Sequence, residues 1–180
     1  NAAVRTINGL HRQRPVSFVL LGGDNADSAQ GNEVGWVLDV LEGKREVHCD
    51  SGRDDDPVAG PDNDGKDPFL AEGLLMPWRW VTGNHDVLVQ GNFAVDDARR
   101  AEAVGADATL GTRDYEAGGA IEAGEFVVPD PRRAPLRRGE LMERIAQSGD
   151  GHGVGPAQRQ AGKAFYSFDV EGTPLRFVVL

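Results

Sequence analysis

Two short stretches hold residue types that can do chemistry together: Gly23-Asp24-Asn25-Ala26-Asp27 and Gly83-Asn84-His85-Asp86. A carboxylate, a side-chain amide and an imidazole offer oxygen and nitrogen ligands. They suit divalent metals of borderline hardness such as zinc, manganese or iron. Two such metals, roughly 3.5–4 Å apart, can share a carboxylate and hold a bridging hydroxide that attacks phosphorus in line. A neighbouring imidazole can stabilise that transition state and protonate the leaving oxygen.

The elements that must position these groups are visible around them. The first stretch follows the apolar run Val16-Ser17-Phe18-Val19-Leu20-Leu21-Gly22, and the second follows Met76-Pro77-Trp78-Arg79-Trp80-Val81-Thr82. Short apolar runs bounded by turn residues read as buried strands. Ligands in layered α/β folds sit past the carboxyl ends of such strands. Asp24, Asn84 and His85 are therefore expected at one sheet edge. A blander reading treats Asn84-His85-Asp86 as a turn and Asp24 as a helix cap.

The two stretches, in this order, resemble the Gly-Asp-x-x-Asp and Gly-Asn-His-Asp/Glu motifs of the calcineurin-like metallophosphoesterase family. Gly23 to Gln30, Leu75 to Trp78 and Phe165 to Val170 are similar to an actinobacterial branch of it. The resemblance implies a four-layer α/β/β/α sandwich and two divalent metal ions, manganese, zinc or iron. It implies that Asp24 bridges the metals and that Asn84 binds the second one. His85 would contact the phosphate as general acid, oriented by Asp86, with Asp27 supporting the site from behind the ligands. The implied substrate is a small-molecule or nucleotide phosphomonoester or phosphodiester. Relatives in that branch often carry export signals, which points to an extracytoplasmic home. The family's Asp-x-His, lone His and Gly-His-x-His motifs have no counterpart here, since His11, His48, His85 and His152 form no such spacing. Asn1 opens directly into a helical pattern and Leu180 closes on an apolar run. The expectation is a partial metallophosphoesterase domain over 1–180, incomplete at both ends, with little activity alone. The rival readings are a degenerate, non-catalytic binding or scaffold domain, and an unrelated α/β domain with Asp24 far from Asn84.

Composition sets bounds. A chain of 180 residues can hold one domain with a sizeable core. The net charge of −10 argues against a nucleic-acid groove. It leaves room for a phosphate substrate, because metals supply positive charge locally. A single cysteine, Cys49, excludes an internal disulfide framework. No apolar stretch is long enough to span a membrane.

Taken in order, the sequence predicts a helix over 2–11, a strand over 16–21 and a helix over 28–42 ending at Gly43. Residues 44–72 read as an acidic loop insertion at the site's rim. Within it, Asp62, Asp64 and Gly65 echo a calcium loop whose first and last acids are replaced by Gly60 and Ala71. His48-Cys49 has no partner at metal-ligand spacing. A short helix capped by Asp96 or Asp97 is expected next, then a loop-rich excursion over 105–135 with one strand at 126–128. A helix over 136–147 should bury Leu141 and Ile145. The turn around Gly151-His152-Gly153 makes His152 a candidate substrate contact. Residues 164–180 read as a hairpin turning at Glu171-Gly172-Thr173-Pro174.

Overall fold

The computed structural model describes residues 1–49, 68–109, 123–126 and 129–180. Helix α1 (Ala2–Gln13) turns Val4 and Asn8 inward and ends where Arg14 becomes extended. That ending is expected of a residue before proline, whose ring disfavours helical backbone at the preceding position. The helix runs slightly past its predicted end, and the backbone N–H of Val16 then donates to His11 Nδ1 at 3.0 Å. This return contact holds Val16 against α1. Strand β1 (Val19–Leu20) is correspondingly shorter than the predicted run.

Helix α2 (Gly31–Glu42) also starts later than its pattern suggests. Glu33 is the reason. Its Oε2 accepts from the backbone N–H groups of Asp27 (3.2 Å), Ser28 (3.0 Å) and Gln30 (3.2 Å). Residues 27–30 are thereby held as a capping turn, which satisfies donors that a helix start leaves unpaired. Gly43 ends α2 with φ 70°. A side chain there would collide with the backbone of Glu72 and Gly73, so glycine is required at this crossing.

Strands β2 (Glu46–Val47) and β3 (Phe69–Leu70) pair antiparallel at the two ends of the acidic insertion. The calcium-like positions 62, 64 and 65 lie outside the described residues. Strand β4 (Trp78–Arg79) pairs parallel with β1, Val19 opposite Trp78 and Leu20 opposite Arg79. The ladder continues on both sides, with Val19 N donating to Pro77 O at 2.9 Å and Leu21 N to Arg79 O at 3.1 Å. Beyond β4 come the hairpin β5 (Leu88–Val89) and β6 (Phe93–Ala94), then helix α3 (Asp97–Ala103). Asp96 caps α3 by accepting from Arg99 N, as the sequence suggested.

Strands β7 (Asp107–Thr109) and β8 (Ala123–Phe126) pair antiparallel. The strand expected at 126–128 meets β8 only at Phe126, its other residues lying outside those described. A 3-10 turn at Pro131–Arg133 leads to helix α4 (Arg138–Ala146), followed by the unforeseen short helix α5 (Pro156–Ala161). Strands β9 (Tyr166–Asp169) and β10 (Arg176–Val179) form the expected hairpin.

One core joins these pieces. Val34 and Leu38 of α2 meet Trp78 and Trp80 from the β4 segment, and Leu141, Met142 and Ile145 of α4. Burying each of these side chains contributes about 1.5–3 kcal/mol. Trp80 is held further, because Tyr166 donates its hydroxyl to Trp80 O at 2.6 Å. Burial pushes the Tyr166 phenol up to about 12, so it stays a neutral donor. Among the described residues strands pair in twos, and the architecture is mixed α/β. No helix among them is long and apolar enough to cross a membrane.

Candidate functional site

Parallel pairing of β1 and β4 brings both chemistry-bearing stretches to one strand end. After β1 the chain turns through Gly23 at φ 88° and Asp24 at φ 51°. Asp24 is thus a non-glycine residue in left-handed backbone, a conformation that aspartate tolerates better than most. The turn sits against the loop after β4. A Cβ on Gly83 would lie 2.1 Å from Asp24 Oδ1, and one on Gly23 would lie 2.9 Å from Gly83 N. Two loops this close leave room only for hydrogen at both positions.

Hydrogen bonds across the seam fix the register of the loops. His85 N donates to Asp24 Oδ1 at 3.0 Å. Asp86 is fully buried. Its Oδ1 accepts from Asn25 N (2.7 Å) and Ala26 N (2.9 Å), and its Oδ2 from Gly83 N (2.8 Å) and Asn25 Nδ2 (3.1 Å). Asn25 Nδ2 also donates to Val81 O at 2.9 Å. Asp86 therefore ties the first loop to the second.

This corrects one expected role. Asp86 does not orient the His85 ring, because its oxygens are taken by the four donors from Asn25, Ala26 and Gly83. The ring is held by Asp27 instead, through its backbone carbonyl: His85 Nδ1 lies 2.7 Å from Asp27 O. A carbonyl only accepts, so Nδ1 carries the proton and Nε2 is the end left for chemistry. The Asp27 carboxylate is mostly exposed and stands 3.5 Å from the same nitrogen. The Asp27 carbonyl first, then the charges of Asp24 and Asp27, hold the His85 pKa above its ordinary value. The peptide group that offers Asp27 O to the ring also offers Ser28 N to Glu33. Glu33 thus sets the plane of the peptide that sets the imidazole.

Asn84 is steered from the β5–β6 turn. Its Nδ2 donates to Gly91 O at 2.9 Å. That bond assigns the amide, leaving Oδ1 as the outward acceptor. A Cβ on Gly91, whose φ is 67°, would lie 2.5 Å from Asn84 Nδ2 and from His85 Nε2.

The donor types in part suit a divalent metal: one Asp24 oxygen and Asn84 Oδ1 accept no protein donor among the described residues, while His85 Nε2 makes no hydrogen bond among them and is placed to carry a proton. Their number is small. No group of three or more His, Cys, Asp or Glu residues able to hold a metal occurs among the described residues.

His152 is not brought to this cluster. Its ring stacks on Trp78 at 3.3 Å between centroids, in the core at the start of β4. Nε2 lies 2.7 Å from Glu42 Oε1, and Nδ1 lies 3.2 Å from Asp150 Oδ1. Neither approach is aligned as a hydrogen bond. His48 sits on the surface, 3.5 Å from Glu46. Glu33, Asn25 and Gly91 went unnoticed in the sequence. Gly91, in Gln90-Gly91-Asn92, and Asn25, in Gly23-Asp24-Asn25, carry turn signals that could point to them, and Glu33 carries none. Comparison with family models, with curated proteins and with solved structures finds no match.

Proposed function

We propose that Asp24, Asn84 and His85 form part of the active site of a metal-dependent phosphoesterase of the calcineurin-like kind, built in a four-layer α/β/β/α sandwich. The observation that carries the reading is the seam between the loops. Asp86 and the His85 N–H lock both motifs at the end of adjacent parallel strands, with a carboxylate oxygen, an amide oxygen and an imidazole nitrogen left uncommitted among the described residues. Asp24 and Asn84 would hold the divalent ions, which when bound supply Lewis acidity toward the phosphate oxygens. His85 would hold a proton at Nε2 and give it to the leaving oxygen. The Asp27 carbonyl keeps the other nitrogen occupied, so the ring cannot present the wrong end.

The test uses the protein supplied with manganese or zinc. The substrates are p-nitrophenyl phosphate and bis(p-nitrophenyl) phosphate. His85→Ala is expected to lower kcat by about 10²–10⁴-fold with metal content unchanged. Asp24→Ala is expected to lower metal content itself. Wild-type turnover by the Asp24 variant at limiting metal would overturn the assignment.

A further inference from the structure

A different feature adjoins the second loop. Thr82 and Val87 bracket the Gly83–Asp86 stretch, and both line a cavity of about 250 Å³ whose other walls include Met142, Ala164, Arg138 and Lys163. A second cavity of about 540 Å³ shares Val87, Arg138 and Gly162 with the first. The floor is apolar, and the rim is cationic in a chain of net charge −10.

The cations divide into two kinds. Arg137 is paired with Asp97, and Arg159 stands 3.1 Å from Glu143. Arg138 and Lys163 have no acidic partner among the described residues. Their proximity is built into the fold. Gly162 ends α5 in left-handed backbone at φ 62°, and a Cβ there would sit 3.4 Å from Arg138 Cβ. The C-terminus of α5 thus abuts the first turn of α4, which sets Lys163 beside Arg138. Two cations without an acidic partner among the described residues, over an apolar floor, match an anion with an apolar body.

We infer that this pocket binds a small amphipathic anion, an aryl or short acyl body carrying a carboxylate or phosphate head. The body rests on Val87, Ala164 and Phe165, and the head lies between Arg138 and Lys163. The inference does not depend on phosphoester hydrolysis at Asp24.

The experiment is titration of the chain, kept metal-free with a chelator, by calorimetry and ligand-observed NMR. The probes are phenyl phosphate, benzoate and inorganic phosphate. A ligand of this size is expected to saturate with Kd on the order of 1 mM. Inorganic phosphate should bind about 10-fold more weakly, since it lacks the apolar body. Arg138→Gln and Lys163→Gln should each weaken phenyl phosphate by about 5-fold or more. Both side chains are exposed, so the variants should keep the wild-type circular dichroism. Asp24→Ala should leave Kd unchanged. The head group is read from the ratio of the two aryl probes: tighter phenyl phosphate supports a phosphate ligand, and equal binding or tighter benzoate supports a carboxylate. Absence of saturable binding by either aryl probe overturns the site. So does an unchanged Kd in the double variant, or loss of binding in Asp24→Ala, which would put the anion at the other cluster.

Discussion

Two buried polar side chains flank strand β4 and differ in how they are satisfied. Asp86, just past its carboxyl end, receives four N–H donors on two oxygens. His152, packed on the strand's first residue, has carboxylates at 2.7 and 3.2 Å but no aligned hydrogen bond. Burial acts on both. It pushes the Asp86 carboxyl up against the pull of its donors. It pushes the His152 imidazole down against the attraction of Glu42 and Asp150. The difference separates an architectural group from a strained one. A saturated buried carboxylate fixes the geometry of its neighbours. A buried imidazole without aligned partners is held by packing, and its cost depends on protonation.

The sharpest way to break the comparison is at Asp86. Asp86→Ala removes the acceptor for three backbone N–H groups and the Asn25 amide at once. Leaving such donors unpaired is expected to cost about 3–5 kcal/mol, read as a shift of the urea midpoint. Water replacing the carboxylate at no cost would give an unchanged midpoint, and Asp86 would lose its architectural role. Glu33 should show the same logic at smaller scale. One of its oxygens collects three N–H groups at a more exposed place. Glu33→Ala is expected to destabilise by about 2 kcal/mol and to broaden the His85 ring signals in NMR spectra, because the Asp27–Ser28 peptide loses its anchor. Sharp, unshifted His85 resonances would show that the peptide is held by other means.

Gly91 probes the site with less effect on the whole. Its φ of 67° and the 2.5 Å approach to Asn84 and His85 leave no room for a methyl group. Gly91→Ala is expected to cost about 1–2 kcal/mol in stability. It should displace the Asn84 amide, seen as a shift of that side chain's NH₂ resonances. An unmoved Asn84 would mean that the β5–β6 turn does not steer it.

Much of this was legible from residues alone, for identifiable reasons. Helix α4 and its buried Leu141 and Ile145 follow from helical spacing, and the Asp96 cap from residue type. The meeting of Asp24 with the Gly83–Asp86 stretch follows from two apolar runs that each end in a polar turn. What stayed hidden was set by backbone. No sequence rule shows that a carbonyl, Asp27 O, holds the His85 ring, or that Asp86 spends its oxygens on amides. The burial of His152 escaped because glycines on both sides read as an exposed turn. In the structure those glycines, at φ 79° and 96°, let the chain fold inward onto Trp78.

His152 supplies the smallest and most diagnostic effect. In the unfolded chain its imidazole titrates near 6.5, while in the fold burial holds its pKa lower. Above 6.5 the ring is neutral in both states, and its packing against Trp78 contributes fully. As pH falls through 6.5 toward the folded value, the unfolded chain takes up a proton that the fold resists, and stability declines. Phenylalanine keeps the stack and has no proton to gain. His152→Phe is therefore expected to lie within about 1 kcal/mol of wild type at pH 8, because an apolar ring replaces a polar one that made no aligned bond. Between pH 7 and 5 the variant should lose less stability than wild type, measured as the difference between their urea midpoints. Glu42 and Asp150 face the ring, so their own titration belongs to that difference, while carboxylates remote from His152 are common to both chains and cancel. A constant difference across the range would show that His152 reaches water or a hydrogen bond when charged. The contrast with Asp86 would then rest on saturation alone and not on charge.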